Sequence, residues 1–261
     1  MNEVRPKKSL GQHFLTDQNI AKKIVEQLSP DVESVIEVGA GTGVLTQFMV
    51  DNIRDKFYVI EIDRESIEYL QNHYPSLGNH LIQGEFLRSD LSQFGQQNMA
   101  IIGNFPYNIS SQIFFQVLKY KELVVEVVGM VQKEMAERMA SKEGSKTYGI
   151  LSVLMQAWYD IDYLFTVHEN VFNPPPKVKS AVIKMRRNAT TDLGCDEKLF
   201  VNIVKQAFNQ RRKTMRNSLR PMLSPEIIDN EVFNKRPEQL SVQEFIDLTN
   251  LISVSASHDA R

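Results

Sequence analysis

The stretch Ser34-Val-Ile-Glu-Val-Gly-Ala-Gly-Thr-Gly43 joins a β-branched run to three closely spaced glycines, and it decides the fold of this chain. A buried strand followed by a glycine-rich turn is typical of nucleotide-binding α/β folds, because glycine lets a ligand approach the backbone closely. Glu61 ends the next strand-like run, where a carboxylate can accept hydrogen bonds from ribose hydroxyls. The pattern therefore predicts a nucleoside-cofactor site at the carboxyl ends of the strands.

Apolar runs and helical periodicities alternate on both sides of this stretch, which predicts an open, mostly parallel sheet covered by helices on both faces. The last two strand-like runs have no long helix between them, so we expect an antiparallel edge. The predicted strands are 34–39, 56–61, 80–83, 99–103, 123–132, 159–167 and 180–187, and the predicted helices between them are 44–50, 64–72 and 108–118.

The pattern changes after Asn188-Ala-Thr-Thr-Asp192, where only helical spacing of apolar residues follows. We therefore expect two domains, an α/β domain over 1–190 and a small all-helical domain over 191–255. The tail 256–261 is polar and small, and we expect it to be disordered.

Composition excludes several classes of protein. The chain has 261 residues with 42% hydrophobic content, which is enough for a packed core and excludes a disordered or collagen-like chain. The most apolar stretch, 123–131, is far shorter than the about 20 residues that a membrane helix needs. The single cysteine, Cys195, allows no internal disulfide or cysteine-rich zinc site, and the histidines show no metal-binding spacing. We expect a cytoplasmic protein without a metal.

The tetrapeptide Asn104-Phe-Pro-Tyr107 follows the fourth predicted strand, at the edge of the sheet where the glycine turn lies. The exocyclic amine of adenine is a poor nucleophile, and two acceptors on its N–H bonds would aim its lone pair at an electrophile. The side-chain oxygen of Asn104 and the main-chain carbonyl of Pro106 are the expected acceptors. Tyr107 offers a flat face on which the base can stack. The chemistry predicted is methyl transfer by alignment, without a general base.

Six motifs in this order resemble the ribosomal RNA small-subunit adenine N6,N6-dimethyltransferases, the kasugamycin-sensitivity enzymes of bacteria. The similarity extends over nearly the whole chain. Besides the glycine turn, the motifs are Leu10-Gly-Gln-His-Phe-Leu, Val59-Ile-Glu-Ile-Asp, Gly103-Asn-Phe-Pro-Tyr-Asn-Ile-Ser, Phe172-Asn-Pro-Pro-Pro-Lys-Val and Ala207-Phe-Asn-Gln-Arg-Arg-Lys-Thr-Met-Arg-Asn-Ser-Leu.

The resemblance implies a doubly wound, seven-stranded class I (Rossmann-like) methyltransferase sheet, with S-adenosylmethionine as methyl donor. Two positions depart from the usual family pattern. His13 stands where the family often has Asn, and Glu85 where it usually has Asp, so that Asp90 is an alternative to Glu85. The cofactor-binding residues implied by motif match are His13, Leu15, Gly39, Gly41, Glu61, Glu85 and Asn104.

The resemblance also implies that Phe172 covers the target adenine opposite Tyr107, and that the partner is 16S rRNA within an immature small ribosomal subunit. Charge agrees with an anionic partner, because residues 171–220 contain twelve basic and three acidic residues. We expect a monomer. The predicted RNA-binding residues are Lys177, Lys205, Arg211, Arg212, Lys213, Arg216 and Arg220.

The implied reaction is dimethylation of two adjacent adenosines in the 3′-terminal hairpin loop of 16S rRNA during small-subunit assembly. Four other functions would fit part of the sequence. A large-subunit rRNA methyltransferase of the macrolide-resistance type or a DNA adenine methyltransferase would share the turn chemistry. An RNA-binding assembly factor would need only the basic residues within 171–220. An NAD-dependent oxidoreductase would use the glycine turn, but Val44 stands at its sixth position, where the dinucleotide motif has a small residue.

Overall fold

Nine strands form two sheets in the computed structural model, which describes residues 4–52 and 56–259, with side chains described as far as Ser255. The seven-stranded sheet has the order β4-β3-β2-β5-β6-β9-β7, and β1 pairs with β8 in a separate two-stranded sheet. The strands are β1 (Phe14–Leu15), β2 (Ser34–Val38), β3 (Phe57–Glu61), β4 (Leu81–Gln83), β5 (Met99–Asn104), β6 (Val124–Gln132), β7 (Tyr159–Val167), β8 (Phe172–Asn173) and β9 (Ser180–Arg187).

The five strands from β4 to β6 are parallel, and β9 runs antiparallel to β6. The strand order reverses between β2 and β5, which is the topological switch point where ligands bind in doubly wound sheets. Every residue of β2 is buried, as expected of a central strand covered on both faces. The predicted mostly parallel sheet with an antiparallel edge is confirmed.

Apolar residues at helical spacing form the helices, and acidic N-caps begin three of them. Asp17, Asp63 and Asp196 accept hydrogen bonds from the first free N–H groups of α1, α2 and α6 respectively. The helices are α1 (Gln18–Val25), α2 (Arg64–His73), α3 (Ser110–Lys119), α4 (Lys133–Ala140), α5 (Ile150–Gln156), α6 (Glu197–Asn209), α7 (Met215–Ser218) and α8 (Val242–Asp259). No helix in the described ranges is long and apolar enough to cross a membrane.

The chain divides into two compact units. The first comprises Met1–Ala136 and Asp160–Arg187 and contains the sheet; the second comprises Glu137–Tyr159 and Asn188–Arg261 and is helical. The expected boundary near residue 190 lies close to the point where the second unit resumes. The sequence analysis did not expect Glu137–Tyr159 in that unit. This segment contains α5, whose apolar residues pack with α6 and α8.

Two segments differ from the expected secondary structure. The predicted helix over 44–50 is a 3₁₀ turn at Thr46–Phe48, and this stretch contains both i→i+3 and i→i+4 hydrogen bonds. The β-branched Val44 and Thr46 disfavour a regular helix there. The tail was expected to be disordered from residue 256, but α8 continues to Asp259, because Ser-Ala-Ser-His contains no helix-breaking residue. Residues 260–261 lie outside the described part of the chain.

Candidate active site

A cavity of about 220 Å³ opens at the carboxyl ends of β2, β3 and β5. Its walls come from the glycine turn after β2, the end of β3, the loop after β4 and the turn after β5. The N-terminal segment 10–14 contributes a further wall. The predicted nucleoside site and the predicted methyl-transfer turn therefore line one cavity within the first unit.

Glu61 is held in place by the main chain on both of its carboxylate oxygens. Oε2 accepts a hydrogen bond from the Gly41 N–H at 2.9 Å, and Oε1 accepts one from the Asp63 N–H at 2.8 Å. Burial raises the pKa of Glu61, and the backbone hydrogen bonds act against that rise. The fixed carboxylate retains lone pairs that can accept hydrogen bonds from a ribose diol. The next residue, Ile62, is 50% exposed and gives the same cavity an apolar surface for a nucleobase.

The glycine turn needs glycine because of both its backbone and its surroundings. Gly39 and Gly41 have φ values of +71° and +58°, which side chains of L-residues rarely adopt. A Cβ on Gly41 would also lie 2.7 Å from Cε1 of Phe14 in the N-terminal segment. The bare backbone of Gly41 therefore lets the Phe14 ring lie directly against the turn.

The N-terminal segment is fastened to the start of α2. The Lys7 ammonium pairs with Asp63 and, at 3.1 Å, with Glu65. The Gln12 amide also donates to Asp63, at 3.4 Å. Burial alone would raise the pKa of Asp63, but the hydrogen bonds from Lys7 and Gln12 outweigh it and the pKa is lowered. Lys7, Gln12 and Asp63 are not among the site residues predicted from the sequence.

Asn104 is oriented by the N-terminal segment. Its Nδ2 donates to the main-chain carbonyl of His13 at 2.7 Å. A carbonyl can only accept, so this contact fixes which end of the amide is nitrogen. The Oδ1 atom of Asn104 is consequently left as the acceptor at the cavity wall.

The second predicted acceptor needs correction. The carbonyl of Pro106 already accepts hydrogen bonds from the Ser110 hydroxyl at 2.8 Å and from the Ile109 N–H at 3.2 Å, so it is committed to the start of α3. The carbonyl of Phe105 accepts no hydrogen bond from the described residues. Pro106 cannot continue the strand and turns the chain into α3, which leaves the preceding carbonyl without a partner. Phe105 therefore replaces Pro106 as the second candidate acceptor.

The Phe105 ring anchors this turn on two glycines. Gly103 on β5 and Gly129 on β6 are paired in register, and the ring lies against both of them. A Cβ on Gly129 would come within 2.4 Å of the ring, and one on Gly103 within 2.9 Å. The fully buried ring also packs edge-on against Phe114 of α3. The turn after β5 is therefore held by its own buried side chain.

Tyr107 lines the cavity, and it is held by contacts to its hydroxyl and to the face of its ring. Its hydroxyl shares a hydrogen bond with Ser180 at the start of β9, and burial raises the pKa of the phenol. The imidazole of His13 stacks on the ring with centroids 5.4 Å apart, and its Nδ1 contacts the Pro174 carbonyl at 2.8 Å. His13 thus contacts Tyr107 through its side chain and Asn104 through its main chain.

Phe172 is not where the sequence analysis expected it. Its side chain is 4% exposed, belongs to the hydrophobic core and does not line the cavity. Its backbone pairs with Leu15 between β8 and β1, and this pairing directs the ring inward. The prediction that Phe172 faces a base opposite Tyr107 is wrong in this structure, where His13 lies on the face of Tyr107.

Of the remaining predicted cofactor positions, one lines the main cavity and two do not. Glu85 lines the cavity and forms an ion pair with Arg88 at 2.9 Å. Leu15 is buried and borders a smaller cavity behind the glycine turn. Asp90, the alternative to Glu85, caps the 3₁₀ turn that begins at Leu91 and does not line the main cavity.

The predicted RNA-binding residues differ in their exposure and in their ion pairs. In the second unit, Arg211 lies 3.9 Å from Glu238 and Arg216 lies 3.1 Å from Asp229. Lys205 and the residues Arg212, Lys213 and Arg220 are exposed. Lys177, which is exposed, belongs to the first unit. Within the described ranges no group of three or more His, Cys, Asp or Glu side chains could hold a metal ion.

Comparisons with known proteins agree with this geometry. A family model described as ribosomal RNA adenine dimethylase matches residues 4–253. "Ribosomal RNA small subunit methyltransferase A" of Phocaeicola vulgatus is 56% identical over 260 residues, covering 98% of this chain and 92% of that protein. The protein of the same name from Bacteroides thetaiotaomicron is 56% identical, covering 97% of this chain and 96% of that one.

Solved structures share the fold. A dimethyladenosine transferase from Plasmodium falciparum superposes with a TM-score of 0.78 at 23% identity, covering 94% of this chain and 98% of that one. The 23S rRNA methyltransferase ErmE gives a TM-score of 0.68 at 22% identity, with coverages of 91% and 99%. Because the family model matches nearly the whole chain and relatives over half identical cover it almost completely, this protein belongs to the ribosomal RNA adenine dimethylase family.

Proposed function

We propose that this protein uses S-adenosylmethionine to dimethylate N6 of two adjacent adenosines in the 3′-terminal hairpin loop of 16S rRNA, within an immature small ribosomal subunit. It acts as a monomer in the cytoplasm, where these subunits assemble. The observation that carries the proposal is the pair of acceptors at the cavity wall, Asn104 Oδ1 and the Phe105 carbonyl. The small-subunit assignment is supported by the relatives at 56% identity.

The cavity residues fit the proposed donor. Glu61 offers a fixed carboxylate for the ribose hydroxyls, and Ile62 an apolar surface for the base of the cofactor. Gly39 lines the cavity with bare backbone, so a ligand can approach the main chain closely there. When bound, S-adenosylmethionine supplies a methyl group on a sulfonium, which needs no further activation.

The turn after β5 would align the adenine nitrogen that receives the methyl group. Asn104 Oδ1 and the Phe105 carbonyl would each accept one N–H of the adenine amine, which directs the nitrogen lone pair away from both of them. Tyr107 would support the base by stacking, a contribution of about 1–3 kcal/mol. The nitrogen would gain the methyl group as that group's bond to the donor's sulfur breaks, and the amine would release one proton to solvent. Alignment of this kind supplies most of the rate, so no side chain has to act as a general base.

Dimethylation requires that the same acceptors hold N6-methyladenine. After the first transfer one N–H remains, so one of the two acceptors loses its partner. The amide of Asn104 stays held by His13 in both transfers because that contact does not involve the substrate.

Mass spectrometry of small-subunit rRNA after incubation with the protein and labelled donor tests the proposal. Immature small subunits should acquire four methyl groups on two neighbouring adenosines, whereas large subunits and naked DNA should acquire none. The Asn104→Ala protein is the matched control and should transfer nothing. Methylation of large-subunit rRNA or DNA at a comparable rate would refute the substrate assignment.

A further inference from the structure

The structure contains one buried acid in the first unit whose role the proposed mechanism leaves open. Glu37 lies on β2, two residues before the glycine turn, and is 1% exposed. Its Oε2 accepts a hydrogen bond from the Thr46 hydroxyl at 2.7 Å. No basic side chain of the described residues pairs with it. Burying a carboxylate without a counter-ion costs free energy, so the position of Glu37 needs an explanation.

Glu126 shows how the same unit treats another buried acid. Glu126 on β6 is 2% exposed, and the Lys184 ammonium lies 3.0 Å from its carboxylate. Both the N–H and the hydroxyl of Ser29 also donate to it. Glu126 is thus paired with a cation and hydrogen-bonded within the protein, as buried charges normally are. Glu37, in contrast, is hydrogen-bonded only by Thr46, through its hydroxyl and its backbone, and has no cation beside it among the described residues.

The groups that face Glu37 from neighbouring elements would not stabilise its negative charge. Glu61 at the end of β3 adds a like charge, and the Tyr74 phenol after α2 is neutral. Ile102 is its neighbour in register on β5. Burial raises the pKa of Glu37 to about 8, helped by Glu61 and opposed by the hydrogen bond from Thr46. Without a ligand, the carboxyl therefore holds its proton at neutral pH.

A cavity of about 20 Å³ separates Glu37 from the reactive side of the site. It is lined by Glu37, Gly39, Thr42 and Asn104, and it is large enough for one water molecule. Gly39 and Asn104 also line the larger cavity. The buried carboxyl is therefore within one water of the wall against which a cationic cofactor would bind.

We propose that Glu37 is the counter-ion of the bound methyl donor, and that binding of S-adenosylmethionine drives its proton into solution. The inference rests on the proposed function. The step is balanced: the neutral carboxylic acid and the sulfonium-bearing donor give a carboxylate paired with that cation and one released proton. A nearby positive charge favours the ionised carboxyl, so donor affinity and ionisation of Glu37 are linked.

Calorimetric titration of the whole protein tests this linkage. S-adenosylmethionine and S-adenosylhomocysteine are titrated at pH 6, 7 and 8, each in phosphate and in Tris buffer, whose ionisation enthalpies differ. Both ligands carry the same amino group and carboxylate, but only the donor carries the sulfonium. We expect release of close to one proton with the donor at pH 7 and clearly less with the product. Donor affinity should rise by up to about tenfold per pH unit between pH 6 and 8.

Two variants test whether the proton released on donor binding comes from Glu37. Glu37→Gln mimics the neutral acid and can still accept from Thr46, so its donor affinity should lose this pH dependence and its proton release. Glu33→Gln changes an exposed acid just before the same strand and should behave as wild type. If the linkage persists in Glu37→Gln, it belongs to another group such as Glu61, and the inference is wrong.

A measurement on the wild-type protein tests the role of Glu37 even if the Glu37→Gln variant does not fold. Infrared difference spectra should show the loss of a protonated carboxyl band when the donor is added at pH 7, and a much smaller loss with the product. Donor binding without proton release or loss of this band would overturn the role of Glu37 while leaving the proposed function intact. Failure of the donor to bind at any pH would overturn both.

Discussion

Replacing Gly129 by alanine should slow methyl transfer while leaving the donor site intact. The new Cβ would lie 2.4 Å from Cε2 and 2.9 Å from Cδ2 of Phe105. Ordinary contacts between carbon atoms are about 3.5–4.0 Å, so the ring has to move by about 1 Å. It cannot move without affecting its neighbours, because it is fully buried and packs against Phe114.

The displacement has a structural and a catalytic cost. Overpacking of a buried site costs about 1–3 kcal/mol of stability. The Phe105 ring anchors the turn that carries both candidate acceptors, and a misplacement of about 1 Å at a reacting centre can reduce the rate about 100-fold. We expect kcat on immature small subunits to fall by about 10- to 100-fold. The donor Kd should remain within about threefold, because Gly129 does not line the cavity.

Three measurements on purified protein check this reasoning: kcat with saturating donor, donor Kd by calorimetry, and the melting temperature. Gly149→Ala is the matched control, because Gly149 is also buried, has an extended φ of −162°, and leaves its Cβ 3.9 Å from the nearest atoms. The double variant Gly129→Ala with Phe105→Leu removes the clashing ring atoms and should recover part of the lost kcat. A folded Gly129→Ala protein with wild-type kcat would refute the anchoring role.

Other predictions address the remaining parts of the molecule. Asn104→Ala should lower kcat by at least about 100-fold for both transfers, measured at saturating donor. Tyr107→Ala should reduce kcat/KM for the RNA substrate by about 5- to 150-fold, the equivalent of one stacked base, at unchanged donor Kd. Arg212→Ala should reduce the log–log salt slope of RNA binding by about 0.7, whereas Arg216→Ala, whose side chain is paired with an acid, should change it less. Without donor, Glu37→Gln should melt higher than wild type by a margin that grows from pH 5 to pH 8. The folded-state pKa of about 8 lies above the ordinary value of 4.5, so wild-type stability declines as pH rises through this range. An unchanged margin would contradict the last of these predictions.

The sequence predicted the fold well because its decisive features are local. The strand beginning at Ser34, the glycines that follow it and Glu61 lie within 28 residues, and each needs a backbone conformation or a burial that only certain residue types permit. The antiparallel edge followed from the lack of a helix before β9. Segment 137–159 was misassigned because its apolar helix has the same local pattern whichever unit it packs against.

The acceptors and the aromatic contacts could not be predicted as well, because the first depend on where α3 begins and the second on a pairing between distant parts of the chain. The Pro106 carbonyl is occupied by a hydroxyl four residues later, and only the observed start of α3 reveals it. Phe172 is buried because its strand pairs with Leu15, more than 150 residues away.

Glu37 follows the same principle, because any strand of the pattern Val-Ile-Glu-Val could place its acid toward an ion pair, as β6 does with Glu126. Only the assembled sheet shows that the described residues provide no cation for Glu37. A buried acid that receives no cation from the described residues, beside a cavity whose proposed ligand is positively charged, is most simply explained as one half of an ion pair that the ligand completes. The cost of burying this acid would then be a means of linking donor binding to ionisation rather than a defect of the core.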